Sequence, residues 1–357
     1  MMNKGLLSRT ECEVIRGIAI LGIVLHNFTH WLRFAVKENE YTFTQGKADR
    51  LYELLNSPDG DLITHLLSFF GHYGVPLFLF LSAYGLVMKY EKATVSPVAA
   101  QPTPGVWHFT RYHFLKLFKM MVVGFVLFTL VDAVTYEPHH YRLLDIVAQL
   151  GLFNNLLEHP NSVIWPGPYW FFGLMLQLYI LYRLLFFRKH WGVVVAVMVL
   201  SMVMQMVCDP TGEALNRLRY NSVGGLLPFG LGLLCARYVR REWSKTAYAA
   251  MFMAGLALLF VMSGNYYTWF FVPAVVCLLG IAGVKLTPAW LMKPLEWVGN
   301  ISAAMFIIHP VARKIFIPVA HRGDIGAGLL LYMLAAVGLA WGIKLLLKKI
   351  PDPRLEA

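Results

Sequence analysis

The chain has 357 residues, of which 58% are apolar and only 14% charged, and its mean hydropathy is +0.57. That is too little charge to coat a soluble domain of this size, so the composition excludes an ordinary water-soluble enzyme and implies a chain that mostly faces lipid. The net charge of +11 does not signal nucleic acid either, because the basic residues fall in short clusters between apolar runs, as in cytoplasmic loops.

In chain order, about ten segments are long and apolar enough to cross a bilayer core of roughly 30 Å. They are 14–32, 64–88, 114–131, 169–186, 191–207, 223–238, 247–263, 267–283, 298–317 and 325–345. The expected fold is therefore all-α: a polytopic membrane protein of about ten transmembrane helices, forming one domain over 1–357. No cleavage site follows the charged start, so the first span is expected to be retained. Cys12, Cys208, Cys235 and Cys277 are scattered, with neither metal-ligand spacing nor a disulfide framework.

Charge sets the expected orientation. Lys4 and Arg9 precede the first span, and Lys89, Lys92, Arg188, Lys189, Arg237, Arg240, Lys285, Lys348 and Lys349 fall on the same side if ten helices alternate. Both termini are then cytoplasmic. The loop after the first span is acidic, with Glu38, Glu40, Asp49, Glu53, Asp59 and Asp61. Arg217, Arg219, Arg313, His321 and Arg322 break the rule by landing outside, where they are either ordinary loop charges or contacts for an anionic or sugar substrate. The short apolar stretch 143–157 reads as an interfacial or re-entrant helix, and the proline-bearing stretch 95–105 as a flexible cytoplasmic connection.

Several spans carry groups that lipid does not favour. "IRGIAILGIVLHNFTHW", residues 15–31, holds Arg16, His26 and His30. On a helix Arg16 and His26 lie about 15 Å apart along the axis and about 80° apart around it, while His26 and His30 share a face one turn apart. Arg16 is either a snorkelling anchor or a functional cation. The histidines are either a packed polar pair or a proton acceptor, since imidazole titrates near neutrality. They could share a metal at i,i+4, but no carboxylate completes an HExxH pattern, and no metal is expected. "HYGVPLFLFLSAYGL" places His72 at the outer mouth of the second span and Ser82 in a tightly packed helix. "FTRYHFLKLFKMM" brings Arg111, Lys116 and Lys119 to the cytoplasmic start of the third, as positive-inside residues or as a clamp for an anionic donor such as coenzyme A. "WPGPYWFFGLMLQLYILYRL" carries Trp165, Tyr169 and Trp170, an interfacial belt or a stacking platform for sugar rings. "NISAAMFIIHPVA" puts His309 near the depth of His26.

Taken in order, these motifs resemble the membrane acyltransferase family 3, polytopic enzymes that modify glycans. The resemblance runs over nearly the whole chain: Arg16-Gly-Ile-Ala to His26, "GVPLFLFLSAYGL", the basic residues from Arg111, "YWFFGLMLQLY" and "ISAAMFIIHP". Two departures stand out. Nine residues separate Arg16 from His26 where the family typically has ten, which turns the histidine by about 100° and makes His30 a rival. Ala83 stands where glycine is usual. The resemblance implies transfer of an acyl group, most often acetyl from acetyl-coenzyme A acting as a donor substrate with no bound cofactor. The acceptor implied is a hydroxyl of a lipid-linked or exported glycan, and the setting a bacterial inner membrane. It gives His26 the role of base, with His30 as alternative, and Arg16 an orienting role towards the donor. Arg111, Lys116 and Lys119 would hold the coenzyme, and His72, Tyr169, Trp170 and His309 would line the acceptor side. The competing readings are a glycan transporter or flippase, for which no paired halves are apparent, and a binding protein with structural histidines.

Overall fold

The computed structural model describes residues 5–92 and 105–355, so Lys4 and all of the 95–105 connection except Gly105 lie outside the described residues. The only regular structure among those residues is helix, with no strand. The first half comprises α1 (Arg9–Thr29), α2 (Gln45–Asn56), α3 (Leu62–Phe70), α4 (Gly74–Val87), α5 (Val106–Val134), α6 (Leu143–Leu150), α7 (Pro160–Val163) and α8 (Trp170–Leu181). The second half comprises α9 (Trp191–Met206), α10 (Glu213–Tyr220), α11 (Ser222–Tyr238), α12 (Lys245–Ser263), α13 (Tyr266–Trp269), α14 (Val272–Leu286), α15 (Ala289–His321) and α16 (Ile325–Lys349).

Among the described residues seven stretches are long and apolar enough to span a membrane: those built on α1, α3–α4, α5, α8, α12, α15 and α16. Three shorter apolar helices, α9, α11 and α14, complete a one-to-one match with the ten segments expected from sequence. The chain is thus a multi-pass membrane protein. α6 has only 8 residues, about 12 Å of helix, and is too short to span.

Lipid is as apolar as leucine, so hydrophobicity alone does not hold membrane helices together; close packing by small residues does. α1 begins at a capping box, in which Ser8 Oγ accepts from the Glu11 N–H and the Glu11 carboxylate accepts from the Ser8 N–H. It then runs between α15 and α4, against which most of its contacts fall. At the α1–α15 crossing Gly17 faces the Leu295 carbonyl and Gly299 faces the Glu13 carbonyl, each too close for a Cβ. The Tyr332 hydroxyl of α16 donates to the Val24 carbonyl at 2.9 Å from a third side. Through its middle and second half α1 is enclosed: Val14, Ile15, Ala19, Ile20, Ile23, Val24, His26 and Phe28 are all buried.

Polar contacts sort to the two ends of the bundle. One end gathers the start of α1 with Lys285, which pairs with Glu11 at 2.8 Å and Glu242 at 3.1 Å, and with the buried Arg237–Glu91 pair at 2.7 Å. This is the end carrying the basic clusters expected to be cytoplasmic. The other end carries the acidic loop after α1, α10 and the start of α8.

Candidate functional site

At that second end, a cavity of about 170 Å³ opens above α1. His26 and His30 line it from α1, Glu38, Glu40 and Tyr41 from the following loop, and His72 from the turn before α4. Trp165 and Trp170 wall it from the approach to α8, and Phe306 and Arg313 from α15.

Local sequence explains the placement. Gly71 lets the turn holding His72 press on α1: a Cβ there would fall 2.6 Å from both the Gly22 carbonyl oxygen and the His26 Cβ. His26 is buried, and its Nδ1 lies 2.8 Å from the Ser68 carbonyl oxygen. A carbonyl can only accept, so in the neutral ring Nδ1 carries the proton and Nε2 keeps the lone pair. His30, one turn on, has its ring centroid 5.3 Å from that of His26 and its Nδ1 2.8 Å from Glu38 Oε2. The His72 ring stands 5.5 Å from His26 on the other side, with both nitrogens buried and without a hydrogen-bond partner. Arg313 donates to Asn27 Oδ1 at 3.0 Å and stacks its guanidinium 4.7 Å over the Trp31 ring.

The loop carrying Glu38 and Glu40 is tied down. The Asn39 side chain accepts from the Thr44 N–H at 2.9 Å, Trp269 Nε1 donates to the Asn39 carbonyl at 2.9 Å, and Lys47 donates to the Glu38 carbonyl at 2.8 Å. The two carboxyls behave oppositely. Burial works against charge on Glu38, but the His30 hydrogen bond and nearby imidazoles outweigh it and hold this carboxyl below the usual range. Burial and the neighbouring Glu38 push Glu40 up to about 8, against the opposing pull of Arg219 and Lys47. An acid with a raised folded-state value loses stability as pH climbs from its unfolded value towards the folded one. In detergent, the thermal midpoint of the wild type is therefore expected to fall between about pH 5 and pH 8 more steeply than that of Glu40→Gln. Equal slopes would remove the enclosed neutral carboxyl from this account.

Of the residues expected on the acceptor side, His72 and Trp170 line the cavity. Tyr169 and His309 do not. The Tyr169 hydroxyl donates to the Ile307 carbonyl at 2.7 Å, and His309 packs its Nδ1 3.2 Å from the Met305 carbonyl oxygen of its own helix. Trp165, the third aromatic expected there, lines the cavity too, whereas Tyr41, Tyr220 and Trp31 line it without having stood out in the sequence. Tyr41 stacks on Tyr220 at 3.7 Å, and Trp165 packs edge-on to Trp31 with its buried Nε1 unpartnered. The aromatic content of the loops was the available signal.

At the opposite end, Arg16 is a third exposed and donates to Glu13 at 2.6 Å. His113 stacks 4.2 Å from the Tyr179 ring and lies 3.3 Å from the Tyr90 hydroxyl, with Lys89 5.0 Å over the Tyr112 ring. Arg111 lines a separate cavity of about 270 Å³ with His108, Tyr112 and Arg354. Lys116 is exposed. Lys119 is engaged already, donating to the Ile350 carbonyl at 2.6 Å and pairing with Asp352 at 2.8 Å.

A helical membrane domain with a histidine and carboxylate cavity at one end and a cationic surface at the other has the parts of a group-transfer enzyme working within the bilayer. The chain belongs to the membrane acyltransferase family 3: the model of that acyltransferase domain matches residues 10–345, and the protein is an acyltransferase. No curated protein and no solved structure gives a significant match.

Proposed function

We propose that the protein moves an acyl group, typically acetyl, from acyl-coenzyme A to a hydroxyl of a lipid-linked or exported carbohydrate, in a bacterial inner membrane. The observation that carries this is the pairing of a proton acceptor, His26 Nε2, with aromatic walls in one cavity. Trp31, Trp165, Trp170 and the Tyr41–Tyr220 stack offer flat apolar faces for sugar rings, and Arg313 and Glu40 offer polar edges. A purely apolar acceptor would find too many charges here.

The reaction balances as follows. His26 Nε2 takes the proton from the acceptor hydroxyl as its oxygen bonds to the thioester carbonyl carbon. The tetrahedral oxyanion is stabilised by donors at the cavity, with His72 and Arg313 in place for this. Collapse breaks the carbon–sulfur bond, and the imidazolium returns its proton to the coenzyme thiolate. On the opposite side, Arg16 orients the donor, and Arg111 with Lys116 attracts its phosphates. A small second cavity, sharing His72, Glu40 and Trp170 with the first, runs deeper to Leu79 and Leu174 and favours approach of the acyl group from below.

The test uses purified protein in sealed proteoliposomes given acyl-coenzyme A labelled in its acyl carbon and an oligosaccharide acceptor. Ester-linked label on the sugar, reduced by at least tenfold in Arg16→Ala, supports the reading. Acceptor crossing the bilayer without acylation would instead support a flippase.

A further inference from the structure

We propose that His26, His30 and Glu38 form a binding site for a divalent transition-metal ion, zinc above all, and that its occupancy blocks acyl transfer. This consequence rests on the base role of His26; the binding itself does not. One ligand atom from each of the three residues lies within 4.8 Å of the other two. A tetrahedral zinc shell with bonds of about 2.1 Å sets its ligand atoms about 3.4 Å apart, so side-chain movements of an ångström or so close the site. His30, the more exposed of the two histidines, has the freedom to make them.

The surroundings already have the form that metal ligands need. A ligating imidazole commonly donates its other ring N–H to a backbone carbonyl or carboxylate, which fixes its tautomer and aims its lone pair. His26 does this with the Ser68 carbonyl at 2.8 Å, leaving Nε2 to coordinate. Glu38 rides on the loop pinned through Asn39, Thr44, Trp269 and Lys47, so its carboxylate is presented rather than floppy. Two imidazoles and a carboxylate are a ligand set that suits zinc and cobalt over the harder magnesium.

A further observation points to a ligand. His72 is 5% exposed, both its ring nitrogens lack a partner, and it lines the cavity beside His26. A buried polar ring left without a partner is costly; a fourth coordination bond, or a water held on the ion, would satisfy it. The metal would use the lone pair with which His26 receives a proton, and it would occupy the space of the acceptor hydroxyl. Zinc and acyl transfer are then mutually exclusive.

The experiment takes the full chain without a histidine tag, stripped with chelator and held in nanodiscs. Zinc retained after desalting is measured by elemental mass spectrometry, and cobalt replaces it for absorption spectra. About one zinc per chain in the wild type, a tetrahedral cobalt spectrum, and affinity at least tenfold weaker in both His30→Ala and Glu38→Gln support the site. Absence of stoichiometric retention in the wild type, or retention unchanged in both variants, overturns it; size-exclusion profiles of the variants confirm that they are folded. Acylation is assayed in parallel. Zinc that binds and inhibits, with chelator restoring activity, supports both ideas. Zinc that binds without inhibiting overturns the blocking role and counts against His26 as the base, while leaving the site itself measured.

Discussion

Replacing His26 with alanine is expected to lower acyl transfer by about 10²–10⁴-fold, the usual contribution of a positioned general base. The chain should still insert and elute as a monodisperse species, because the ring's polar contact is a single bond to the Ser68 carbonyl. Acyl content of the glycan, measured by mass spectrometry in cells lacking the native enzyme and carrying either form, gives the answer. His30→Ala belongs in the same experiment. Its ring has a carboxylate partner, Glu38 at 2.8 Å, where His26 has a carbonyl, so each histidine is oriented through Nδ1. The difference lies in burial: His26 is enclosed, whereas the His30 side chain is 38% exposed. A base in the drier position gains more from the low dielectric around the developing charge. Full activity in His26→Ala with loss in His30→Ala would transfer the base role one turn along α1.

The spans were legible because a bilayer imposes length and apolarity on every crossing helix, and both are local properties of sequence. Depth was legible for the same reason, so Arg16 and the histidine pair were expected at opposite ends of the first span. What the sequence does not contain is which neighbour covers a given face. Glu38 is eight residues beyond His30, outside any helical spacing, and reaches it only because the loop folds back over α1. An HExxH pattern, which places its carboxylate one residue after the first histidine, has no position for it. Tyr169 and Trp170 are adjacent, yet one hydroxyl is committed to the Ile307 carbonyl while the other ring borders the cavity. Likewise Lys119 reads as a surface cation until the segment after α16 passes beside it. Tertiary contacts decided each of these cases.

The second large effect is expected from Gly17→Val, one residue from Arg16. A side chain there meets the Leu295 carbonyl, and Gly299 makes the reciprocal approach to Glu13, so the α1–α15 crossing has backbone on both sides. Backbone cannot rotate away as a side chain can. The helices must separate, which costs at least the roughly 1–3 kcal/mol of an overpacked core and loses the close packing that substitutes for hydrophobicity in lipid. Separation also carries His26 away from Phe306 and Arg313, which face it from α15. The expected outcome is a lower thermal midpoint by fluorescence-detected size exclusion, together with a loss of acylation greater than the loss of folded protein. Gly342→Ala on α16 is the control: nothing lies within 4 Å of the added Cβ, and removing a helical glycine stabilises by about 0.5–1 kcal/mol. If Gly17→Val melts with the wild type, the two helices are not in backbone contact, and the position of His26 over the cavity must be fixed by α4 and the Gly71 turn alone.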